Sequence, residues 1–353
     1  MKGFNWSRIL VIQLGDIGDV VWTMPTIKAL HQVFPEAQIS ILVREAVEDL
    51  LDSEALLHRV FFVPSRGKGR KQIELIYLLR KERFDVAIDL RTGDRGGIMA
   101  RLSGAPVRIA QVCSASSWLR NIMFTRLITP KVLEPRPLGA SEQSLSIIRA
   151  LGIEVVSYPL SLTVSRRAEE SAELILMRLC PPAFTGRPFI TVSPYSRWSY
   201  KEWKDEKWRD LLARLTDEFL FPVLVVGSPN ERKRSEGLLR GLGGAVMNAV
   251  GETTLGTLAA LLKKSSLHIG VDSAPPIIAG AVGTPTITLY GPSDWRDWAP
   301  VGDSHRVIHA RMPCVPCRRK GCHDQEKSPC LEAIGVEEVI EVIREVALPL
   351  LPT

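Results

Sequence analysis

The sequence of 353 residues has no apolar run approaching the roughly 20 residues that cross a bilayer. Its N-terminal region lacks the longer apolar core and small-residue cleavage site of a secretory signal, so we expect a cytoplasmic protein. It also lacks any block of like charge long enough to form a nucleic-acid-binding arm. The formal net charge of +6 is a mild excess that favours acidic substrates or an anionic membrane surface, and we expect no nucleic-acid partner.

Cysteine is scarce, with six residues, and in a cytoplasmic chain these are more often thiols or metal ligands than a disulfide framework. Four of them, Cys314, Cys317, Cys322 and Cys330, lie close together near the C-terminus, next to His323. Thiolates at such spacings can hold a structural zinc ion, although the second and third spacings differ from the usual paired pattern. A structural zinc site and a set of reduced thiols are therefore the two alternatives.

Short apolar segments alternate with helical patterns along the chain. The run RILVIQL at 8–14 predicts a buried strand, and residues 39–43, 60–63 and 86–90 predict further strands. The same alternation begins again near residue 188. Strands that alternate with helices indicate parallel βαβ units, so we predict an α/β protein with two Rossmann-like, doubly wound domains. Such domains bind ligands at the carboxyl ends of their strands, and we expect the two sets of ends to face each other across a cleft.

A proline- and glycine-rich segment at 180–188 is the best candidate for a linker. It predicts an N-terminal domain over residues 1–180 and a C-terminal domain over residues 188–335. The remaining residues, 336–353, predict an amphipathic helix that packs back on the first domain.

The first glycine-containing loop, at 15–19, follows a predicted strand and precedes a helical pattern. One interpretation is a dinucleotide-binding fingerprint with a phosphate at the helix N-terminus. Its two carboxylates, Asp16 and Asp19, would repel a pyrophosphate, however. A carboxylate at the end of a strand is better suited to take a proton from an acceptor hydroxyl. The residues alone therefore predict one catalytic aspartate in this loop, the other being a loop or capping residue.

The loop after the first strand of the second half contains hydroxyl and basic side chains. Lys201, with Ser196 and Arg197 before it, is a candidate for binding a phosphate group. The alternative is an aromatic-rich surface loop without a ligand.

Two further loops of the second half also follow predicted strands. Asp272, Ser273 and Ala274 begin a helix of small residues, whose free N–H groups suit a diphosphate. Glu231 lies just past another strand, where acidic residues accept hydrogen bonds from ribose hydroxyls. The alternative for Asp272 and Ser273 is simple helix capping.

Basic and aromatic residues of the first half predict a surface for an anionic acceptor. Arg66, Lys68 and Arg70 form a basic loop, and Arg120 lies in a segment that mixes aromatic residues with cations. Either segment could face an anionic lipid headgroup or a phosphorylated sugar. The alternative is an ordinary solvated surface.

Three segments taken together resemble one known family. They are LGDIGDVVWTMPTIKAL at 14–30, Lys201-x-Trp203, and GVDSAPPIIAGAVGTPTITLYGPSD at 270–294. In order and spacing they resemble the ADP-heptose:lipopolysaccharide heptosyltransferases of glycosyltransferase family nine, with the heptosyltransferase III type closest. The resemblance covers most of the chain.

The resemblance implies a GT-B fold and an inverting transfer of heptose. The donor would be ADP-L-glycero-β-D-manno-heptose, the acceptor a lipopolysaccharide inner-core sugar, and no cofactor would be required. It also implies peripheral contact with the inner membrane. By motif position, Asp19 would be the general base and Asp16 a neighbour on the acceptor side. On the donor side, the implied contacts are Lys201 to the phosphates, Asp272 to the heptose, Glu231 to the ribose, and Ser273 and Ala274 to the diphosphate.

Ile277 is a departure from the family pattern, since family members commonly carry histidine at this position. Two alternatives therefore stay open beside heptose transfer. One is a transferase that uses a different nucleotide sugar. The other is a non-catalytic member that binds a nucleotide sugar or lipid core.

Overall fold

The computed structural model describes residues 5–64, 69–114, 117–130, 133, 138–155 and 158–347. The chain divides into two compact units, Met1–Thr163 and Val164–Thr353. Among the described residues, none of the helices is both long enough and apolar enough to cross a membrane.

Within its described residues, the first unit contains six strands and six α-helices. The strands are β1 (Arg8–Ile12), β2 (Gln38–Arg44), β3 (Arg59–Val63), β4 (Val86–Asp89), β5 (Val107–Gln111) and β6 (Arg126–Ile128). The helices are α1 (Ile17–Val21), α2 (Met24–Val33), α3 (Gly69–Lys81), α4 (Asp94–Leu102), α5 (Trp118–Ile122) and α6 (Ser141–Ala150).

The part of the second unit that the structure describes contains six strands and eight α-helices. The strands are β7 (Ile190–Ser193), β8 (Val223–Val225), β9 (Val246–Asn248), β10 (Leu267–Val271), β11 (Thr286–Tyr290) and β12 (His305–His309). The helices are α7 (Arg166–Leu179), α8 (Asp205–Asp217), α9 (Arg232–Leu239), α10 (Leu255–Lys264), α11 (Ala274–Ala281), α12 (Trp295–Trp298), α13 (Pro329–Ala333) and α14 (Val336–Ala347).

Both sheets are parallel and have the same strand order. The first is ordered β3-β2-β1-β4-β5-β6, and the second β9-β8-β7-β10-β11-β12. In each unit the order reverses between the first and fourth strands, and such a switch point leaves a crevice at the carboxyl ends. The predicted pair of doubly wound α/β sheets is confirmed.

The central strands are buried along nearly their whole length. Only the first residue of β1 is partly exposed, and β4, β7, β10 and β11 are buried throughout. Parallel strands covered by helices on both faces read as continuous apolar runs rather than alternating ones. This is why the apolar segments of the sequence located these strands.

The units divide before α7, whereas the sequence placed the boundary after it, at 180–188. Helix α7 packs on α10 of the second unit. Two ion pairs join these helices, Lys263 with Glu169 at 2.8 Å and Lys264 with Glu173 at 2.9 Å. The packing surface of α7 therefore lies in the second unit.

Helix α14 also belongs to the second unit. Its Val339, Ile340 and Ile343 are fully buried in a core shared with Leu211 and Leu215 of α8. The apolar face of this helix therefore completes the core of its own unit, while its packing on the first domain stays a prediction.

Candidate active site

The carboxylate of Asp19 lies just beyond the carboxyl end of β1, at the switch point of the first sheet. Asp16 is the N-cap of α1, and its backbone N–H donates to Asp19 Oδ2 at 2.9 Å. Thr23 Oγ1 donates to the backbone carbonyl of Asp19 at 2.8 Å and accepts from Gln13 Nε2 at 2.9 Å. Side chain and backbone of Asp19 are therefore both held in place.

Gly15 gives the Asp19 carboxylate the space it occupies. A Cβ atom at position 15 would lie 2.3 Å from Asp19 Oδ2, closer than non-bonded atoms can approach. A glycine before this aspartate is thus a steric requirement of the loop.

Arg91 holds the other oxygen of the same carboxylate. It follows β4, the neighbour of β1 at the switch point, and its Nη1 lies 3.0 Å from Asp19 Oδ1. Both residues line one pocket, together with the polar residues Gln13, Thr23, Gln143 and Ser144. The Asp19 side chain is 14% exposed, so it combines a fixed orientation with access to the pocket.

The two carboxylates of this loop have different environments. Asp16 is 60% exposed and pairs with Arg44 at 3.1 Å. It is not among the residues that line the pocket. Asp19 is the better placed of the two to meet a substrate hydroxyl.

A buried ion pair supports the main chain of Arg91. Asp89 and Arg120 are both fully buried and lie 3.4 Å apart. Asp89 Oδ1 accepts the N–H of Arg91 at 3.2 Å, and Arg120 Nη2 donates to the Arg91 carbonyl at 2.7 Å. Burial raises the pKa of Asp89 to about 7, because the loss of water costs its charged form more than Arg120 and the Arg91 N–H return.

Arg120 was predicted to contact the acceptor from the surface, and the structure buries it instead. Arg70 is exposed near the start of α3, as a surface contact requires. Arg66 and Lys68 lie outside the described residues. The structure therefore brings Asp19 into a pocket without bringing Arg120 to its surface.

The switch point of the second sheet contains Lys201 and Asp272. Lys201 ends a 3-10 turn after β7, and Asp272 directly follows β10. Lys201 Nζ lies 2.6 Å from Asp272 Oδ2, and the Asp272 side chain is 7% exposed. The two residues predicted to bind phosphate and sugar thus form an ion pair in this structure.

Helix α11 begins two residues after Asp272. Ser273 is the N-cap, but its hydroxyl donates to the Val271 carbonyl at 3.1 Å and does not cap the helix. Ala274 is the first residue of the helix, and the prolines at 275 and 276 have no N–H group. The helix start therefore offers fewer donors to a diphosphate than an ordinary first turn.

Ser196 and Arg197 lie on the loop between β7 and Lys201. Ser196 Oγ donates to the Asp272 carbonyl at 3.4 Å, so this serine lies at the switch point. The guanidinium of Arg197 is exposed and lies 5.3 Å from the centre of the Trp198 ring.

Glu231 lies beyond β8, the strand next to β7. Its Oε2 accepts the N–H of Ser228 at 2.7 Å in a capping box. A Cβ atom at Gly227 would lie 2.6 Å from the same oxygen. An acid at the end of the second strand of a Rossmann-like sheet is in the position that meets a ribose.

The cysteine cluster does not form a metal site. Within the residues described, no group of three His, Cys, Asp or Glu side chains could hold a metal ion. Cys330 is buried in the core of the second unit, while Cys314 is exposed. All four are free thiols, and burial raises the pKa of Cys330. The predicted zinc site is therefore not supported.

Beside Asp19, the sequence did not point to Arg91 or to the uncharged polar residues of the pocket. Arg91 directly follows the predicted strand at 86–90, and a residue at a carboxyl end was the available signal. Its contact with Asp19 depends on β1 and β4 being neighbours, which a single sequence does not reveal.

Comparisons with known proteins identify the family of this chain. The profile of glycosyltransferase family 9 (heptosyltransferase) matches residues 73–328, most of the chain. The chain belongs to this family. It is therefore a glycosyltransferase.

Individual relatives and solved structures match 80% or more of the chain. Lipopolysaccharide heptosyltransferase 3 of Escherichia coli is 27% identical, over 80% of this chain and 84% of its own length. The family 9 structure from Veillonella parvula has a TM-score of 0.82 and 19% identity, over 97% of both chains. An E. coli heptosyltransferase solved with ADP-2-deoxy-2-fluoro heptose has a TM-score of 0.71 and 20% identity, over 96% of this chain and 99% of its own. The predicted fold class is thereby confirmed.

Proposed function

We propose that this glycosyltransferase moves heptose from ADP-heptose to a sugar of the lipopolysaccharide core, with inversion at the anomeric carbon. One relative is a lipopolysaccharide heptosyltransferase 3, and one structural neighbour was solved with an ADP-heptose analogue. The observation that carries the proposal is the Asp19 carboxylate, which is held by the Asp16 N–H and Arg91 and lines a pocket.

In the proposed reaction Asp19 accepts the proton of an acceptor hydroxyl. The acceptor oxygen forms a bond to the anomeric carbon while the bond between that carbon and the diphosphate oxygen breaks. ADP leaves with the electron pair of the broken bond, and the proton stays on Asp19 until it passes to solvent. A positioned general base contributes about 10²–10⁴-fold to such a step.

The donor side of the proposal lies in the second unit. Lys201 and the N-terminus of α11 bind the diphosphate, and Asp272 accepts hydrogen bonds from heptose hydroxyls. Donor phosphate would then replace Asp272 as the partner of Lys201. Lys201 and the helix N-terminus would each stabilise the charge of the leaving diphosphate by about 2–4 kcal/mol. Since Lys201 supplies positive charge, the mechanism requires no metal ion.

Glu231 supports the choice of a nucleotide donor. Its carboxylate lies beyond β8, where acidic residues of Rossmann-like sheets meet a ribose, and is oriented by the Ser228 N–H. We propose that it accepts hydrogen bonds from the ribose hydroxyls of ADP.

The test combines transfer with binding. Purified enzyme, ADP-heptose and a deacylated core oligosaccharide should give free ADP and a product heavier by one heptose. ADP should raise the melting temperature while UDP should not, because a ligand that binds only the folded state stabilises it. Absence of the heavier product, or stabilisation by UDP alone, would contradict the proposal.

We also propose that the enzyme works in the cytoplasm, at the surface of the inner membrane. Helix α5 buries its cation and exposes its apolar side chains. Arg120 is buried, while Trp118 and Ile122 are 70% and 62% exposed. Leu119 is also exposed, and the exposed Arg126 follows on β6. Exposed apolar groups beside a cation suit an interface of acyl chains and anionic headgroups.

Sedimentation with vesicles tests this contact. The wild-type enzyme should bind vesicles with anionic lipid, and a Trp118→Ser/Ile122→Ser variant should bind them several-fold less. A Leu174→Ser/Met177→Ser variant is the matched control, since it removes two exposed apolar residues of α7. Equal binding by all three proteins would contradict the assignment of this surface.

A further inference from the structure

Arg91 has binding capacity that its contact with Asp19 does not use. A guanidinium carries five N–H donors in a rigid plane. Only Nη1 of Arg91 donates to a partner among the described residues, and that partner is Asp19. The side chain is 41% exposed and lines the pocket beside the carboxylate. The remaining donors of this cation are therefore available to a molecule in the pocket.

The buried pair of Asp89 and Arg120 fixes the main chain of Arg91, from which its side chain extends. Asp89 accepts the backbone N–H of Arg91, and Arg120 donates to its backbone carbonyl. Asp89 and Arg120 are themselves fully buried. Gly96 permits this packing, since a Cβ there would lie 2.4 Å from Asp89 Oδ2. A cation whose main chain is held on both sides loses less freedom when it binds a ligand.

The chemistry of a guanidinium selects the ligand. Its parallel N–H groups match the two oxygens of a carboxylate or a phosphate, and such paired bonds are stronger than those to neutral groups. Asp19 occupies one nitrogen, which leaves Arg91 able to bridge the base and a second anion. The other polar residues of the pocket, Gln143 among them, suit sugar hydroxyls.

We propose that Arg91 binds an anionic group of the acceptor, a phosphate or a carboxylate, next to the hydroxyl that Asp19 deprotonates. The proposal rests on the proposed function, because it takes the ligand of this pocket to be the acceptor sugar. Arg91 then has two roles: it orients the base, and it selects an acidic sugar over a neutral one.

Acceptors that differ only in charge test the proposal. With a phosphorylated, carboxylate-containing core oligosaccharide, Arg91→Gln should raise the acceptor KM by about tenfold or more. Two derivatives identify the group, one dephosphorylated and one with its carboxylates reduced. On the derivative that lacks the bound anion, wild type and Arg91→Gln should have similar KM values. Arg91→Lys keeps the charge but not the paired geometry. On the charged oligosaccharide its acceptor KM should therefore lie between those of wild type and Arg91→Gln.

Arg59→Gln is the control for the loss of an arginine that pairs with a carboxylate. Arg59→Gln removes another arginine–carboxylate pair, with Glu82 at 2.7 Å, at the amino end of the edge strand β3, and should leave KM unchanged. A loss of kcat in Arg91→Gln that is equal on all acceptors, with unchanged KM, would mean that Arg91 only holds Asp19. A rise in the donor KM alone would place the anion on ADP-heptose. Either result overturns the proposal.

A binding measurement separates this proposal from the proposed function. Calorimetric titration of the charged oligosaccharide into wild type and Arg91→Gln requires no turnover. Suppose that wild type binds the charged oligosaccharide without transferring heptose, while Arg91→Gln binds it at least tenfold more weakly. That result would support the anion site and contradict the proposed heptose transfer. Equal affinities of the two proteins would overturn the anion site.

Discussion

Gly15 and Asp19 act together at the end of β1. The carboxylate passes so close to residue 15 that only a glycine leaves room for it. The N–H of Asp16 and the guanidinium of Arg91 then hold one oxygen each. The position of the proposed base therefore depends on the absence of one side-chain atom.

Replacing Gly15 tests this dependence. Gly15→Ala should lower kcat by about tenfold or more, because the new methyl group displaces the carboxylate from its site. Gly93→Ala is the matched control: this glycine follows β4, and a Cβ there has no atom within 4 Å. Steady-state kinetics of both variants checks the prediction. A Gly15→Ala enzyme with normal kcat would show that the carboxylate works from another position.

Asp89 gives the first unit a pH-dependent stability. Its pKa is about 7 in the folded chain, against an ordinary value of 3.8. The folded chain therefore keeps a proton that the unfolded chain has released, and stability falls as pH rises through this range.

Urea unfolding measures this effect. Between pH 5 and about pH 8, the free energy of unfolding of wild type minus that of Asp89→Asn should fall by on the order of 2–3 kcal/mol. Asp52→Asn, at an exposed position, is the control and should follow the wild-type curve. Parallel curves for wild type and Asp89→Asn would show that Asp89 does not titrate in this range.

At the scale of elements, each unit contains a loop of the same construction. A glycine follows the strand, the next residue caps a short helix, and an acid three residues later accepts the N–H of the cap. The residues are Gly15, Asp16 and Asp19 in the first unit, and Gly227, Ser228 and Glu231 in the second. In both loops the capping box fixes a carboxylate at the carboxyl edge of a sheet.

The second of these loops gives a prediction for donor binding. Gly227→Ala places a methyl group 2.6 Å from Glu231 Oε2 and should raise the Kd for ADP by about tenfold. Gly237→Ala, on α9 with open space around it, should leave the Kd unchanged. Calorimetric titration of ADP measures both. An unaltered Kd in Gly227→Ala would remove Glu231 from the nucleotide site.

The sequence predicted strands better than the partners of side chains. The segments 8–14 and 86–90 were identified because central parallel strands are continuous apolar runs. Arg120 was taken for a surface cation, because its partner Asp89 lies 31 residues away in the chain and becomes a neighbour only after folding. Arg91 was missed for the same reason.

At the scale of the whole molecule, each unit has its own sheet and its own core. Family membership and the division into two doubly wound α/β halves were both accessible from the sequence, through its motifs and the alternation of its elements. The domain boundary, the packing of α14 and the absence of a zinc site in the described residues were not. Those features depend on which apolar faces and which thiols come into contact, and composition does not encode this.

The two units should respond differently to nucleotide. We predict that ADP slows backbone hydrogen exchange mainly at the carboxyl ends of β7, β8 and β10, because Lys201, Glu231 and Asp272 lie there. Exchange in the strands of the first unit should change little. Protection by ADP centred on β1 and α1 would instead place the nucleotide on the first unit.

The most direct test of the central claim compares the two carboxylates of the first loop. In transfer of heptose from ADP-heptose, Asp19→Asn should lower kcat by about 10²–10⁴-fold while the Kd for ADP and the melting temperature stay nearly unchanged. Asp16→Asn, which alters a neighbouring carboxylate outside the pocket, should lower kcat by less than about tenfold. If Asp19→Asn transfers heptose at a rate close to that of wild type, Asp19 is not the base.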